Sequence, residues 1–182
     1  MSWTAPMTAV AHTVFTSSDF NVNIRDNLLC EAPAIAANPT SYFVVDDLHS
    51  IVERQFVQNT VLTSESTASD AWADLATEGP AVTVTTNEYA LVLISCEISN
   101  DTLGASSYAG VNVFGPGMRT HSPTDYTGIY VTGKPANMPE QGMASIYFRT
   151  LTPGLNTFKM QYRRLSVGNA VFSKRTIMVM PL

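Results

Sequence analysis

The residues that could do chemistry are few and scattered. His12, His49 and His121 are the only imidazoles in the chain. In the stretch DDLH, Asp46 and Asp47 stand beside His49, and a divalent metal would need a further ligand brought there by the fold. In THSPTD, His121 precedes Asp125 by four residues. A Ser-His-Asp relay built on that pair would draw on one of many serines, so the coincidence is supplied by composition. Ser106 and Ser107 in GASSYAG lack the Gly-x-Ser-x-Gly spacing of a nucleophile elbow. No phosphate-cradling glycine loop, HExxH or calcium-loop pattern occurs, and no carboxylate pair stands at a recognisable spacing. Cys30 and Cys96 are the only thiols, with no CxxC between them. Two buried thiols are expected, and a disulfide between them stays open. These residues point to a protein that is not an enzyme and needs no metal or cofactor.

Composition points the same way. The 182 residues suit one moderate domain plus an appendage. Charged residues make up 14% of the chain, against an ordinary share of about 25%. The net charge is −5, which argues against nucleic acid, because phosphate backbones need clustered Lys and Arg. The nearest approach to such a cluster is Arg163, Arg164, Lys174 and Arg175, expected to be a solvated strand edge that discourages unwanted pairing. The longest apolar run, Tyr89 to Ile94, is too short to span a bilayer, and no membrane partner is expected. No leader peptide is visible, so folding in a cytoplasm is expected.

The elements follow from periodicity. Residues 1–39 read as an extended arm and a short helix. Pro6 disfavours helix at the residue before it, and TSSDF supplies a cap with Asp19 in the first turn. Phe20, Ile24 and Leu28 then recur every four residues and share one face of a helix of about three turns. Such a helix is marginal alone and needs a cover. Residues 40–65 form a connecting segment in which SYFVV suits a short strand and HSIVERQFVQNTVLTSE either an amphipathic helix through Ile51 and Gln55 or a strand, to which the Val and Thr of its second half lean. Residues 66–182 alternate apolar and polar through AWADLA, AVTVTT, YAGVNVFG, ASIYFRTL and NTFKMQYRRL, YALVLISCEIS reads as a buried strand that becomes alternating at its end, and AVFSKRTIMVMPL closes the chain, with turn-forming sequences between. About eight short strands without intervening helices predict a mainly β fold, an antiparallel jelly roll or β-sandwich.

Two surfaces suggest themselves. Ile177, Met178, Val179 and Met180 stand in a row, so both faces of the last strand are expected to be covered, one by the domain core and the other by a further copy. The loops of residues 115–142, stiffened by four prolines, are candidates for recognition. Tyr126 and Tyr130 there would suit stacking on a sugar of a host cell surface.

The opening SWTAP, followed by FTSSDFNVNIRDNLL, resembles the start of a large group of virion proteins of tailed phages and prophages, especially of actinobacteria. The positions that carry the resemblance are Trp3, Thr4, Pro6, Thr16, Asn21 or Asn23, Arg25, Asp26, Asn27 and Leu28. The C-terminal part, with FRTLTPGLNTFKMQYRRL and RTIMVMPL, is similar to the trimeric tumour-necrosis-factor-like jelly rolls that often follow that arm. The resemblance implies a virion structural protein assembled in the host cytoplasm. It would be displayed as a homotrimeric minor tail or fibre-like component, or as a capsid decoration protein. Trp3, Pro6, Phe20, Ile24 and Leu28 would then anchor it to another virion protein, tail or capsid, with Arg25 and Asp26 setting the register. The connecting region is short, and MTAVAHTVF stands where the group usually carries a W-x-x-G stretch.

Overall fold

The computed structural model describes residues 14, 16–21, 24, 37–46, 48–119 and 128–182. The chain divides into two compact units, Met1–Gln55 and Phe56–Leu182.

In the first unit, helix α1 (Ser17–Phe20) starts at a reciprocal cap. The Thr16 hydroxyl accepts the Asp19 amide at 3.1 Å, and the Asp19 carboxylate accepts the Thr16 amide at 3.0 Å. The Thr16 hydroxyl, donating at 2.6 Å, and then the Thr16 amide hold the Asp19 carboxyl below its usual range. A hairpin follows, β1 (Tyr42–Val45) against β2 (Ile51–Arg54), in antiparallel register with Val44 opposite Val52. Asp46 closes its turn by accepting the amides of Leu48 and Ser50 at 3.0 and 2.8 Å. Glu53 ties the preceding segment down, accepting the Ser41 hydroxyl at 2.6 Å and the amides of Asn38 and Ala37 at 2.8 and 3.0 Å. The Ser41 bond, then the Asn38 amide, draws the Glu53 carboxyl down to about 2.

The second unit is a jelly roll. Its strands are β3 (Val57–Val61), β4 (Glu65–Thr67), β5 (Ala81–Thr86), β6 (Ala90–Asn100), β7 (Ser106–Phe114), β8 (Gly128–Val131), β9 (Glu140–Phe148), β10 (Gly154–Leu165) and β11 (Ala170–Pro181). β3 and β4 lie along one strand, β11, so together they act as a single interrupted first strand. First then pairs with last, β5 with β10, β6 with β9, and β7 with β8, all antiparallel. That nesting defines the double Greek key. It produces two sheets, β5-β10-β7-β8 and β3-β11-β6-β9.

Alternation decides which side chains fill the space between them. Val92, Ile94, Cys96 and Ile98 of β6 face Phe158, Met160 and Tyr162 of β10, with Phe172, Ile177 and Val179 of β11 completing the core. All these side chains are at most 1% exposed. Each buried large apolar side chain contributes about 1.5–3 kcal/mol relative to exposure, so this layer is the main stabilising feature. The sequence reading of Trp72 and Asp74 as strand residues is corrected. Only Ala73 bridges to Tyr162 there, and the segment runs irregularly beside β10.

One irregularity reverses an expectation. The register of β11 against β6 slips between Ser173 and Thr176, and Lys174 takes a φ of 48°. The extra residue inverts the phase of the strand, so Arg175 points inward with Phe172 and Ile177 and is fully buried. Its guanidinium pairs with Glu65 and donates to the carbonyls of Thr77 and Gly79 and to the Thr63 hydroxyl. It also lies 5.4 Å from the Tyr162 ring. Arg175 is therefore a core residue rather than part of a solvated edge. The phase inversion, which a period-two reading cannot foresee, is the reason.

Candidate functional site

The outer face of the sheet β3-β11-β6-β9 is the first candidate surface. Three rows cross β11, β6 and β9: Met180–Leu91–Tyr147, Met178–Leu93–Ser145 and Thr176–Ser95–Met143. The rows stay in step because period-two alternation turns these residues away from the core while their neighbours fill it. Met143 is 77% exposed and Tyr147 is 48% exposed. Tyr89 stacks on Tyr147 with ring centroids 6.2 Å apart, which widens the apolar patch. At one end the charges are already paired, Lys174 with Glu97. At the other, Arg149 lies 5.2 Å from the Tyr147 ring. The patch between is neutral: apolar side chains mixed with small hydroxyls.

This geometry divides the four residues expected at an oligomer contact. Ile177 and Val179 are fully buried between the sheets. Met178 and Met180 face outward, half-buried among their strand neighbours. Leu91, Leu93, Met143 and Tyr147 share that face and were missed from sequence. Their side of the sheet is decided by a register set across three non-adjacent strands.

The second surface is the outer face of β5-β10-β7-β8. Register places Arg163 of β10 opposite Tyr108 of β7, and Tyr108 opposite Tyr130 of β8. The mutual backbone bonds of Ala73 and Tyr162, at 3.0 and 2.9 Å, seat Trp72 on the other flank of Arg163. The result is a transverse stack. The Arg163 guanidinium carbon lies 5.0 Å from the Trp72 ring and 4.8 Å from the Tyr108 ring. Tyr108 and Tyr130 stack with centroids 4.4 Å apart. These steps match the strand spacing of about 4.8 Å, so the sheet itself sets the pitch. Arg163 is 3% exposed and its Nε is buried without a partner. Arg163, too, was expected on a solvated edge; the flanking rings bury it instead.

Neighbouring cations on this sheet are neutralised. Lys159 pairs with Asp74 at 2.8 Å and with Glu78 at 3.4 Å, and Arg164 pairs with Asp70 at 3.0 Å. Tyr130, at the sheet edge, is 48% exposed. Hydrogen bonds from Thr132 and then Ser106 hold its phenol below the ordinary tyrosine range. The hydroxyls of Ser106 and Thr132 also bond each other at 2.7 Å.

The anchoring residues expected in the first unit are placed in part. Phe20 is 47% exposed and Ile24 is 41% exposed. Trp3, Pro6, Arg25, Asp26 and Leu28, together with Tyr126 of the recognition loop, lie outside the described residues. So do Cys30, His121 and Asp125. Cys96 is a free thiol sealed in the core, and burial pushes it up to about 12. Asp46 spends its carboxylate on the hairpin turn beside His49.

No protein-family model matches the chain, and no curated protein matches it. Among solved structures, the chain is similar to that of the infectious bursal disease virus Gx strain, at 9% identity and a TM-score of 0.41, covering 82% of this chain and 37% of the other. The VP2 subviral particle of infectious bursal disease virus follows at 9% identity and a TM-score of 0.38, covering 81% and 38%. A Stig cyclase, Fisc from Fischerella sp. TAU, gives 10% identity and a TM-score of 0.29, covering 84% and 95%. The chain thus spans well under half the length of those two viral proteins. Likenesses this distant assign no function.

Proposed function

We propose that this chain is a non-enzymatic virion structural protein of a tailed phage. The jelly roll is displayed on the particle as a homotrimer, and the N-terminal unit attaches it to another virion protein. The observation that carries the self-association is the neutral apolar outer face of β11, β6 and β9. Leu91, Leu93, Met143, Tyr147, Met178 and Met180 lie side by side on it. A chain of net charge −5 repels its own copies, and this face carries little of that charge. Its one acidic residue, Glu97, is already paired with Lys174. A closed ring, in which each copy makes two contacts, is the symmetry such a face would serve. The number three comes from the resemblance to tumour-necrosis-factor-like jelly rolls.

The attachment rests on the resemblance of residues 3–28 to the phage group, and on the exposed Phe20 and Ile24. A minor tail or fibre-like position is the leading reading. A capsid decoration protein is favoured instead by the short connection, since β2 ends at Arg54 and β3 begins at Val57, with no shaft sequence between.

The test is to delete residues 1–30 and follow incorporation into particles beside electron microscopy of the intact protein's position. The truncated chain is expected to remain a soluble oligomer that no longer joins the virion. Incorporation at the full-length level would refute the anchor. Labelling of the tail or of the capsid surface decides between the two positions.

A further inference from the structure

The stack on the outer face of β10, β7 and β8 has a property that packing alone does not explain. Among the described residues, Nε of the Arg163 guanidinium is buried without a hydrogen-bond acceptor, between two ring faces. The residue is nonetheless 97% buried, the complement of its 3% exposure. Aromatic faces on both flanks stabilise the cation, but a ring face leaves the directed Nε–H donor unmet. Buried donors are satisfied in native proteins by protein, water or a bound ion, and an exception calls for a cause. The acids nearest by sequence position do not supply one. Asp74 is engaged by Lys159 and Gln161, and Asp70 by Arg164.

We propose that this row is a binding site for an acidic oligosaccharide, a glycan carrying a uronate or sialate carboxylate. The inference goes beyond the structural role above and does not depend on it. Arg163 receives the carboxylate, since a guanidinium fork matches a carboxylate bidentately. Tyr130, two rungs away at the exposed edge of β8, offers its ring face to the C–H side of a pyranose. The Ser106 and Thr132 hydroxyls bonded around its phenol donate to and accept from the sugar rim. Two strand spacings, about 10 Å, separate the two recognition points. That is the reach of a disaccharide rather than of one ring, so the site favours an oligosaccharide over a free monosaccharide. An acidic peptide would satisfy Arg163 alone. It has no use for the exposed phenol ringed by hydroxyls, which is why a sugar is favoured.

The experiment displays full-length protein to an array of uronate- and sialate-containing oligosaccharides printed beside their neutral counterparts. The best acidic glycan, its neutral analogue and sodium acetate are then titrated by ligand-observed NMR. Variants are Arg163→Met, which keeps the stem but removes the charge, Arg163→Lys and Tyr130→Ala. Melting temperature and light scattering confirm that each is folded and assembled. The expected result is selective binding of acidic glycans, weakened at least about tenfold in Arg163→Met and Tyr130→Ala and partly restored in Arg163→Lys. Three results would overturn the proposal: no acidic glycan bound above its neutral partner, binding unchanged in folded Arg163→Met, or acetate competing as well as the oligosaccharide. Should Arg163→Met fail to fold, Tyr130→Ala at the exposed edge carries the test.

Discussion

Arg175 Nη2 lies 3.0 Å from Glu65 Oε2, pairing the last strand of the jelly roll with its interrupted first strand. The arginine is fully buried, whereas the glutamate side chain keeps 17% exposure. That asymmetry sets an order of mutational effects. Glu65→Ala strands a buried cation, while Arg175→Met leaves a carboxylate that can reach water. Glu65→Ala is expected to lower the denaturant midpoint more than Arg175→Met. The double variant should recover part of the Glu65→Ala loss. Strict additivity in the cycle would show that the pair is not coupled.

Acid should weaken the fold through the same residue. The Thr77 hydroxyl, then the Thr77 amide and Arg175, holds the Glu65 carboxyl below its usual 4.5. A carboxyl depressed in the folded state binds protons more readily once the chain unfolds. Its stabilising contribution is therefore complete above about pH 4.5 and is lost as pH falls through the lower folded value. Glu53 behaves alike in the first unit, with its loss extending down to about pH 2. Thermal melts from pH 7 to pH 2 should show flat stability and then a decline beginning below pH 5. In Glu65→Gln that decline should be shallower, and an unchanged slope would remove Glu65 from the account.

Cys96 should be chemically silent in the native state. It is fully buried, and its thiol is pushed up to about 12. Only the thiolate attacks a disulfide reagent. In a Cys30→Ser background, Ellman's reagent is expected to find no thiol until denaturant unfolds the jelly roll, and one thiol per chain afterwards. Rapid reaction at neutral pH without denaturant would contradict the sealed core.

The apolar sheet face should govern self-association and not folding. Leu93 and Met178 sit opposite each other on the outer side of β6 and β11. Leu93→Lys and Met178→Glu put a charge there without touching the core. Each is expected to move the light-scattering mass to that of a monomer and to change far-ultraviolet circular dichroism little. An oligomer surviving both substitutions would place the contact elsewhere.

A steric prediction concerns β9. A Cβ added at Gly142 would collide with Ile129 Cγ2. That methyl belongs to a β-branched side chain with little room to turn. Gly142→Ala is expected to cost about 1–3 kcal/mol of stability in a denaturant titration. The pair Gly142→Ala with Ile129→Ala should relieve part of that loss.

Most of the sheet content was legible because strand residues alternate. AVTVTT and NTFKMQYRRL carry a period-two pattern and are strands whose Val82, Val84, Phe158, Met160 and Tyr162 face the core, whereas in YALVLISCEIS apolar Leu91 and Leu93 turn outward between Val92 and Ile94 of the core. Trp72 and Asp74 alternate equally well, yet they flank a single bridge at Ala73. A short alternating run does not reveal whether a partner strand is free to pair with it. Arg163 and Arg175 were misjudged for different reasons. The first is covered by rings brought from distant sequence, and the second is turned inward by one extra residue at Lys174.

The sequence by itself determined that this chain builds an antiparallel β domain, because burial on a pleated strand repeats every second residue. It also carried the capped turn at Thr16 and Asp19, since caps are local. Tertiary structure alone decided which outward residues become neighbours. The apolar rows on β11, β6 and β9, and the Trp72–Arg163–Tyr108–Tyr130 stack, depend on registers between strands far apart in the chain. A one-residue slip in such a register exchanges the two faces of a strand. The bulge at Lys174 does this within β11, converting an expected surface arginine into the ion-paired residue of the core.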